Sequence, residues 1–219
     1  LLGGFTTLRD LGTEGAGYAD VGLKQAIEQG IIAGPRMLVA TRAIVATGSY
    51  GPKGYAAEWD VPQGAEEADE GERLVRVVRS QLGKGAEWIK LYADYHPGPL
   101  PSSTPSFSPE SLAFALYITH APRTLVAMHA TSPEGMRNAI LAGTDTLEHG
   151  DGGTPELFRL MAQRRTALCP TLTAGEALSQ YAGWRREKDP EPPSLVHKRQ
   201  SFRAALAAGV EILSGSDVG

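Results

Sequence analysis

Four residues with chemically active side chains stand at or near the ends of short apolar runs. They are Lys90, His129, His149 and Asp217, and the runs cover residues 88–92, 125–129, 145–149 and 212–217. Amines, imidazoles and carboxylates bind metal ions or transfer protons. If the runs are parallel β-strands of a barrel, their carboxyl ends meet at one mouth and bring the four groups together. The spacing therefore predicts a metal site.

The two histidines carry most of this prediction. His129 ends one apolar run, and His149 ends the next, one strand–helix unit later. A single histidine in such a place is more often a core residue bonded to backbone, but two on successive strands favour metal binding by neutral imidazole. The remaining histidines, His96, His120 and His197, are interpreted as surface or structural residues.

Lys90 and Asp217 could complete the site. Lys90 lies inside an apolar run, where burial makes an ammonium costly and lowers the pKa of the amine. Such an amine could form a Schiff base, or add carbon dioxide to give a carbamate whose two oxygens bridge two metals. Asp217 could bind a divalent cation and take a proton from water, and a helix N-cap is the alternative interpretation.

The elements that would position these groups alternate between strand and helix. Strands are predicted at 5–10, 36–42, 88–93, 124–130, 146–149, 167–172 and 211–216, and helices at 18–29 and 66–82, after Ser108, Ser132 and Thr154, and at 194–208. Such alternation predicts a parallel α/β sheet with helices outside. An incomplete (β/α)8 TIM-type barrel with about seven strands fits better than a doubly wound sheet, because no Gly-rich phosphate loop follows the first strand and the candidate ligands come from widely separated strands.

Two long segments after predicted strands, 45–64 and 173–193, are expected to overhang the mouth and select the substrate. The first of them contains Tyr50, Tyr55 and Trp59. Tyr50 and, on the strand of Lys90, Tyr92 are the predicted substrate-binding residues.

Composition narrows the class of protein. The 219 residues are 42% hydrophobic and 21% charged, which suits one globular domain over 1–219. A net charge of -4 excludes a nucleic-acid partner, and no apolar run reaches the roughly 18–20 residues that cross a bilayer. The single cysteine, Cys169, excludes an internal disulfide and a thiolate metal cluster, and its apolar surroundings predict a buried thiol. The expected partners are a small-molecule or dipeptide substrate and a second copy of the chain.

The chain resembles the amidohydrolase superfamily, in particular the imidazolonepropionase-like branch that includes metal-dependent Xaa-Pro dipeptidases. The matching segments are 4–10, 34–36, 85–90, 128–130, 142–150, 169–172 and 215–217. The resemblance implies a (β/α)8 hydrolase that cleaves amide-type C–N bonds with metal-activated water, with two zinc ions. It also implies that Lys90 is the carboxylated bridging ligand, that His129 and His149 bind the second metal, and that Asp217 binds the first metal and shuttles the proton.

The chain departs from that pattern at three places. It has no His-x-His pair for a first barrel strand, so we expect a piece of a longer protein that begins upstream of Leu1 and that also contains a last helix and a small β-domain built from both termini. Many dipeptidase relatives carry Gly-Gly-His after the third strand, where this chain has Gly48-Ser49-Tyr50. They also carry a tyrosine two residues past the fifth-strand histidine, where this chain has Thr131. Tyr50 could supply a hydroxyl instead, and the substrate stays open.

Two other hypotheses remain. A Schiff-base lyase on the same fold would use Lys90 but leaves His129, His149 and Asp217 without a joint role. The third hypothesis is a non-catalytic chain, because the sequence holds about half of a binuclear site. Residues 1–219 expressed alone are expected to be inactive and to associate through open sheet edges. The metal content of the full-length protein distinguishes the three hypotheses, according to whether the chain binds two metal ions, one or none.

Overall fold

Strands and helices alternate along the chain in a computed structural model that describes residues 3–51, 54–56, 58–96 and 102–217. The strands are β1 Thr7–Asp10, β2 Arg36–Val39, β3 Ile44–Val45, β4 Glu66–Glu67, β5 Trp88–Tyr92, β6 Asp94–Tyr95, β7 Thr104–Pro105, β8 Leu125–Ala130, β9 Thr146–His149 and β10 Ala167–Cys169. The helices are α1 Ala19–Glu28, α2 Gly71–Gly83, α3 Pro109–His120, α4 Pro133–Ala142, α5 Pro155–Arg164, α6 Leu172–Tyr181 and α7 Pro193–Ala207. The predicted alternation is confirmed.

The parallel strands form one arc. β1 pairs with β2, and the larger sheet has the order β10-β9-β8-β5-β3-β4. The Glu87 amide donates to the Val39 carbonyl oxygen at 2.8 Å, which connects the end of β2 to the start of β5. At the far edge Ile212 forms a single parallel bridge to Leu168 of β10. The arc therefore runs through β1, β2, β5, β8, β9, β10 and the Ile212 segment.

This arc curls around an interior filled with side chains. Arg9 on β1 reaches across to β9, where its guanidinium donates to Thr146 Oγ1 at 2.8 Å and to Glu148 Oε1 at 3.0 Å. In the part of the chain that the structure describes, β1 pairs with β2 alone, so the barrel is open on the other side of β1. The α/β fold class, an incomplete TIM-type barrel, is confirmed.

Two predicted strands differ in the structure. The strand predicted over 36–42 ends at Val39, because Thr41 adopts a left-handed φ of +62° with its amide donating to Asp20 Oδ2 at 2.8 Å, and the chain rejoins the sheet as β3 at Ile44. The strand predicted over 211–216 is wrong apart from the bridge at Ile212. Among the described residues this segment has a strand neighbour on one side only, so the ladder is not extended.

The helix predicted over 66–82 begins later, at Gly71. The amides of Glu66 and Ala68 donate to the carbonyl oxygens of Ala43 and Val45 at 2.8 and 2.9 Å, so this stretch extends the sheet as β4. The predicted insertion at 173–193 contains most of α6, and β6 and β7 form an antiparallel hairpin. Residues 52–53 and 57 of the predicted loop 45–64, and residues 97–101 after β6, lie outside the described ranges.

Three helices begin as the sequence predicts. The side-chain oxygens of Ser108, Ser132 and Thr154 accept hydrogen bonds from the amides three residues later, and a proline follows each of them. Each cap satisfies an amide that the helix leaves free. Because these helices follow strands in the chain, their caps fix the turns at the carboxyl ends of the strands, where the candidate site lies.

Candidate metal and substrate site

The six predicted site residues lie in one connected cluster at the carboxyl ends of the strands. Lys90 and Tyr92 come from β5, His129 from β8 and His149 from β9, while Tyr50 follows β3 and Asp217 follows Ile212. The cluster holds together by ring contacts between neighbours and by the approach of Asp217 to His149, 4.0 Å between Oδ2 and Nδ1. The predicted convergence of these side chains is therefore present in the fold.

The two histidines are buried neighbours. Their ring centroids are 4.5 Å apart, and Nδ1 of His149 shares a hydrogen bond with Thr171 Oγ1 at 2.8 Å. His129 Nε2 is buried and forms no hydrogen bond among the described residues, and the nearest carboxylate oxygen, Asp94 Oδ1, lies 3.7 Å away. Burial lowers the pKa of both imidazoles well below the usual 6.5, and the charge of Lys90 lowers them further. Both rings are therefore neutral at pH 7, the form that binds metals.

The turn that carries His149 has an unusual backbone held by α7. His149 has a left-handed φ of +74°, a conformation that costs a non-glycine residue on the order of 1 kcal/mol. Lys198 on α7 donates to the His149 carbonyl oxygen at 3.4 Å and to the Asp151 carboxylate. Ser201, one turn later, donates to the Gly150 carbonyl oxygen at 2.9 Å. These hydrogen bonds fix the backbone that orients the His149 side chain. The sequence alone does not predict them.

Lys90 is buried, with 5% of its surface exposed. Within the described residues its amine forms no hydrogen bond or ion pair, and Nζ lies 5.5 Å from the centroid of the Tyr92 ring. Burial lowers the pKa of Lys90, while the charges of Glu148 and Asp217 oppose that shift. A buried amine without a close counter-ion is suited to covalent modification, as a carbamate or as a Schiff base.

Asp217 stands at the exposed edge of the cluster. Its side chain is 54% exposed, and its backbone has a left-handed φ of +58°. In the ranges that the structure describes, no three His, Cys, Asp or Glu side chains converge closely enough to hold an ion. The histidine pair is therefore a partial ligand set that needs further donors, and a carboxylated Lys90 would be one.

A polar network below the histidines was missed by sequence reasoning. Glu148 on β9 accepts from Arg9 at 3.0 Å and from Thr146 Oγ1 at 2.7 Å, and the Arg9 guanidinium lies 4.7 Å from the centre of the Trp88 ring. Alternate polar residues on β9, which share one face of the strand, were the available signal. Cys169 borders this network, and burial raises the pKa of its thiol to about 11, so it is the inert buried thiol that was predicted.

Asp94 fixes the turn after His129. Its carboxylate is fully buried and accepts from the amides of Thr131 and Ser132 and from both of their hydroxyls. A Cβ at Gly135 would lie 2.1 Å from Asp94 Oδ2, so the helix must have glycine there. Thr131, which stands where many relatives have tyrosine, is thus committed to this turn.

Three tyrosines pack together beside His129. Tyr92 stacks on His129, with ring centroids 4.4 Å apart and planes 9° from parallel. Tyr50 lies 5.5 Å from Tyr92, and Tyr95 lies 5.2 Å from Tyr50. His96, predicted to be a surface or structural residue, lies beside Tyr95 at 5.3 Å and is closer to the site than expected.

The open parallel barrel with ionisable side chains at its strand ends is the arrangement of TIM-type barrel proteins. Residues 1–219 match the amidohydrolase family, and the chain belongs to this family. A solved Xaa-Pro dipeptidase with bound methionine in its active site is 30% identical, with a TM-score of 0.81, and the match covers 98% of this chain and 55% of that one.

Two further comparisons agree on the length of the match. An uncharacterized protein of Mycobacterium tuberculosis is 30% identical over 192 residues, 84% of this chain and 48% of the relative. The structure of Aspergillus niger ochratoxinase has a TM-score of 0.79 at 26% identity, over 98% of this chain and 52% of that one. The chain thus spans about half the length of the relatives it matches. None of the described helices is long and apolar enough to cross a membrane.

Proposed function

We propose that the protein containing this chain is a metal-dependent hydrolase that cleaves an amide-type C–N bond of a dipeptide or another small molecule. The observation that carries the proposal is the neutral, buried histidine pair, in which His129 Nε2 has no hydrogen-bond partner among the described residues. An unpartnered nitrogen in a buried place is costly unless a ligand occupies it. Membership of the amidohydrolase family and similarity to an Xaa-Pro dipeptidase and an ochratoxinase support the reaction class.

The available donors fit zinc. His129 and His149 would bind one ion, Asp217 would bind the other, and Lys90 would bridge the two after its amine adds carbon dioxide and releases a proton. Bound zinc would supply Lewis-acid activation of water and of the scissile carbonyl group. We assign the bridging ligand to Lys90, because it is buried near the histidine pair and burial lowers its pKa.

We assign the role of proton shuttle to the exposed carboxylate of Asp217. It stands beside His149 and toward solvent, where a substrate can meet it. In the proposed reaction it accepts the proton of the attacking water and transfers it to the leaving nitrogen, which departs as a neutral amine. Tyr92 packs on His129 and so limits the rotation of that imidazole.

The rival hypothesis of a Schiff-base lyase also uses a structural observation, the lowered pKa of Lys90. A neutral amine attacks a carbonyl carbon, and loss of water gives the imine. That reaction gives no role to the unpartnered nitrogen of His129 or to the approach of Asp217 to His149. For this reason the hydrolase is preferred.

The metal content of the full-length protein, measured together with hydrolysis of a panel of dipeptides and N-acyl amino acids, tests the proposal. We expect bound zinc and hydrolysis, with both reduced in Lys90→Ala. Lys84→Ala is the matched control, since Lys84 is exposed directly after α2, at the amino ends of the strands, and is expected to change neither. Two results together would contradict the hydrolase and support the lyase: the protein binds no zinc, and treatment with borohydride links a carbonyl substrate covalently to Lys90.

A further inference from the structure

A carboxylate outside the predicted site faces its tyrosines. Glu14 follows β1, and its Oε2 accepts a hydrogen bond from the Tyr50 hydroxyl at 2.5 Å. The Glu14 carboxylate lies against two glycine backbones: an added Cβ would be 3.2 Å from Oε2 at Gly64 and 3.5 Å from Oε1 at Gly12. Glu14 also has a left-handed φ of +44°. The hydrogen bond from Tyr50 and the close approach of Gly64 thus hold this exposed carboxylate beside the tyrosine ring.

The acid joins an aromatic wall that leads to the histidine pair. The rings of Tyr50, Tyr92 and Tyr95 lie 5.2–5.6 Å apart, with their planes inclined at 53–69°. Each of the three is partly exposed at the mouth. Since Tyr92 stacks on His129, one ring separates Tyr50 from the candidate metal ligand. A group bound at Glu14 and Tyr50 is therefore within reach of a short substrate held at the histidines.

The hydrogen bond to Glu14 decides what Tyr50 can offer. A carboxylate accepts but does not donate, so the tyrosine hydrogen points to Glu14 and the hydroxyl presents only lone pairs outward. Burial and the bond to Glu14 raise the pKa of Tyr50, which keeps its proton. Tyr50, which the sequence analysis considered as the source of a hydroxyl, is therefore poorly suited to donate a hydrogen bond to the substrate. Acceptor oxygens beside the negative faces of aromatic rings attract cations.

We infer that Glu14, Tyr50 and Tyr95 form a subsite for a positively charged group of the substrate, an ammonium or a guanidinium. This inference rests on the proposed hydrolase function and specifies its substrate as an amide or dipeptide with a basic side chain. The Tyr50 and Tyr92 ring centroids are 5.5 Å apart, a span that a lysine or arginine side chain can cover. An acidic side chain would meet the carboxylates of Glu14 and Asp217 on the same side of the mouth.

A matched pair of substrates tests the subsite in the full-length protein. Dipeptides with lysine or with norleucine at the same position differ in charge but share the four-carbon chain. We expect the ratio of kcat/KM for lysine over norleucine to fall about threefold to fivefold in Glu14→Gln, the effect of one lost ion pair at an exposed position. Tyr50→Phe, which keeps the ring, should reduce the ratio less. Glu211→Gln removes the same charge at the opposite end of the barrel and should leave the ratio unchanged.

Binding separates the failure of the subsite from the failure of the hydrolase. If the wild-type protein hydrolyses no peptide, calorimetry with free L-lysine and L-norleucine still tests the inference. A preference for lysine that Glu14→Gln abolishes supports the cation subsite even without hydrolysis. Equal or absent binding of the two amino acids, or a kcat/KM ratio that Glu14→Gln leaves unchanged, overturns it.

Discussion

Replacing Asp94 with asparagine should loosen the turn that follows His129. The Asp94 carboxylate is fully buried, and its two oxygens accept from the amides of Thr131 and Ser132 at 2.7–3.0 Å. The hydroxyls of both residues also donate to it, at 3.2 and 2.6 Å. An asparagine has one acceptor oxygen and one NH₂ group, so the NH₂ group would face amide and hydroxyl donors of Thr131 and Ser132 that need an acceptor.

The magnitude follows from the bonds that are lost. Hydrogen bonds to a charged group contribute about 1.5–3 kcal/mol each, and a buried amide left without a partner adds a penalty of about 1–3 kcal/mol. The Ser132 hydroxyl can rotate to accept from the new NH₂ group and recover part of the loss. We therefore expect Asp94→Asn to lower the free energy of unfolding by about 3 kcal/mol.

Asp69 gives a matched control for the effect of burial. Its carboxylate accepts from the Thr47 amide and hydroxyl, both at 2.8 Å, in an exposed position where water can replace lost bonds. Urea unfolding of the full-length protein should show less than about 1 kcal/mol of loss in Asp69→Asn. Equal losses in the two variants would refute the reasoning, because burial of Asp94 would then have no energetic consequence.

Four further predictions concern the ligands and their support. Lys90→Ala should lose bound zinc and hydrolysis, with partial recovery on adding a short carboxylic acid such as acetate, and full activity of the variant would exclude the carbamate. His129→Asn and His149→Asn should each lower zinc content and activity together, as elemental analysis and rate measurements can show; unchanged stoichiometry in both would make these histidines structural. Lys198→Met should weaken zinc binding, because the left-handed turn at His149 loses its contact with α7, and a zinc dissociation constant equal to that of the wild type would contradict this support role. Burial lowers the pKa of both histidines, so below pH 6.5 the unfolded chain binds more protons than the metal-free folded protein. The free energy of unfolding should therefore decrease as the pH falls from 6.5 toward the lowered pKa values. A free energy of unfolding that does not change with pH, or a pH dependence that is unchanged when both histidines are replaced with asparagine, would contradict these shifts.

The sequence by itself determined the elements and the ends of the strands at which chemistry could occur. Strand alternation, and Ser or Thr caps followed by proline, depend on neighbouring residues, so the caps at Ser108, Ser132 and Thr154 could be predicted. The placement of Lys90, His129 and His149 at one mouth followed from the rule that parallel strands in a barrel share a direction.

Tertiary structure alone decided which side chains meet across the chain. Tyr50 bonds to Glu14 from 36 residues away, Arg9 bonds to Glu148 from 139 residues away, and α7 holds the His149 turn. Such pairs depend on how the sheet curls and on left-handed backbone at residues other than glycine, which composition and periodicity do not encode. The strand predicted over 211–216 is wrong because a β-strand needs hydrogen-bonded neighbouring strands, and the whole fold decides which strands are neighbours.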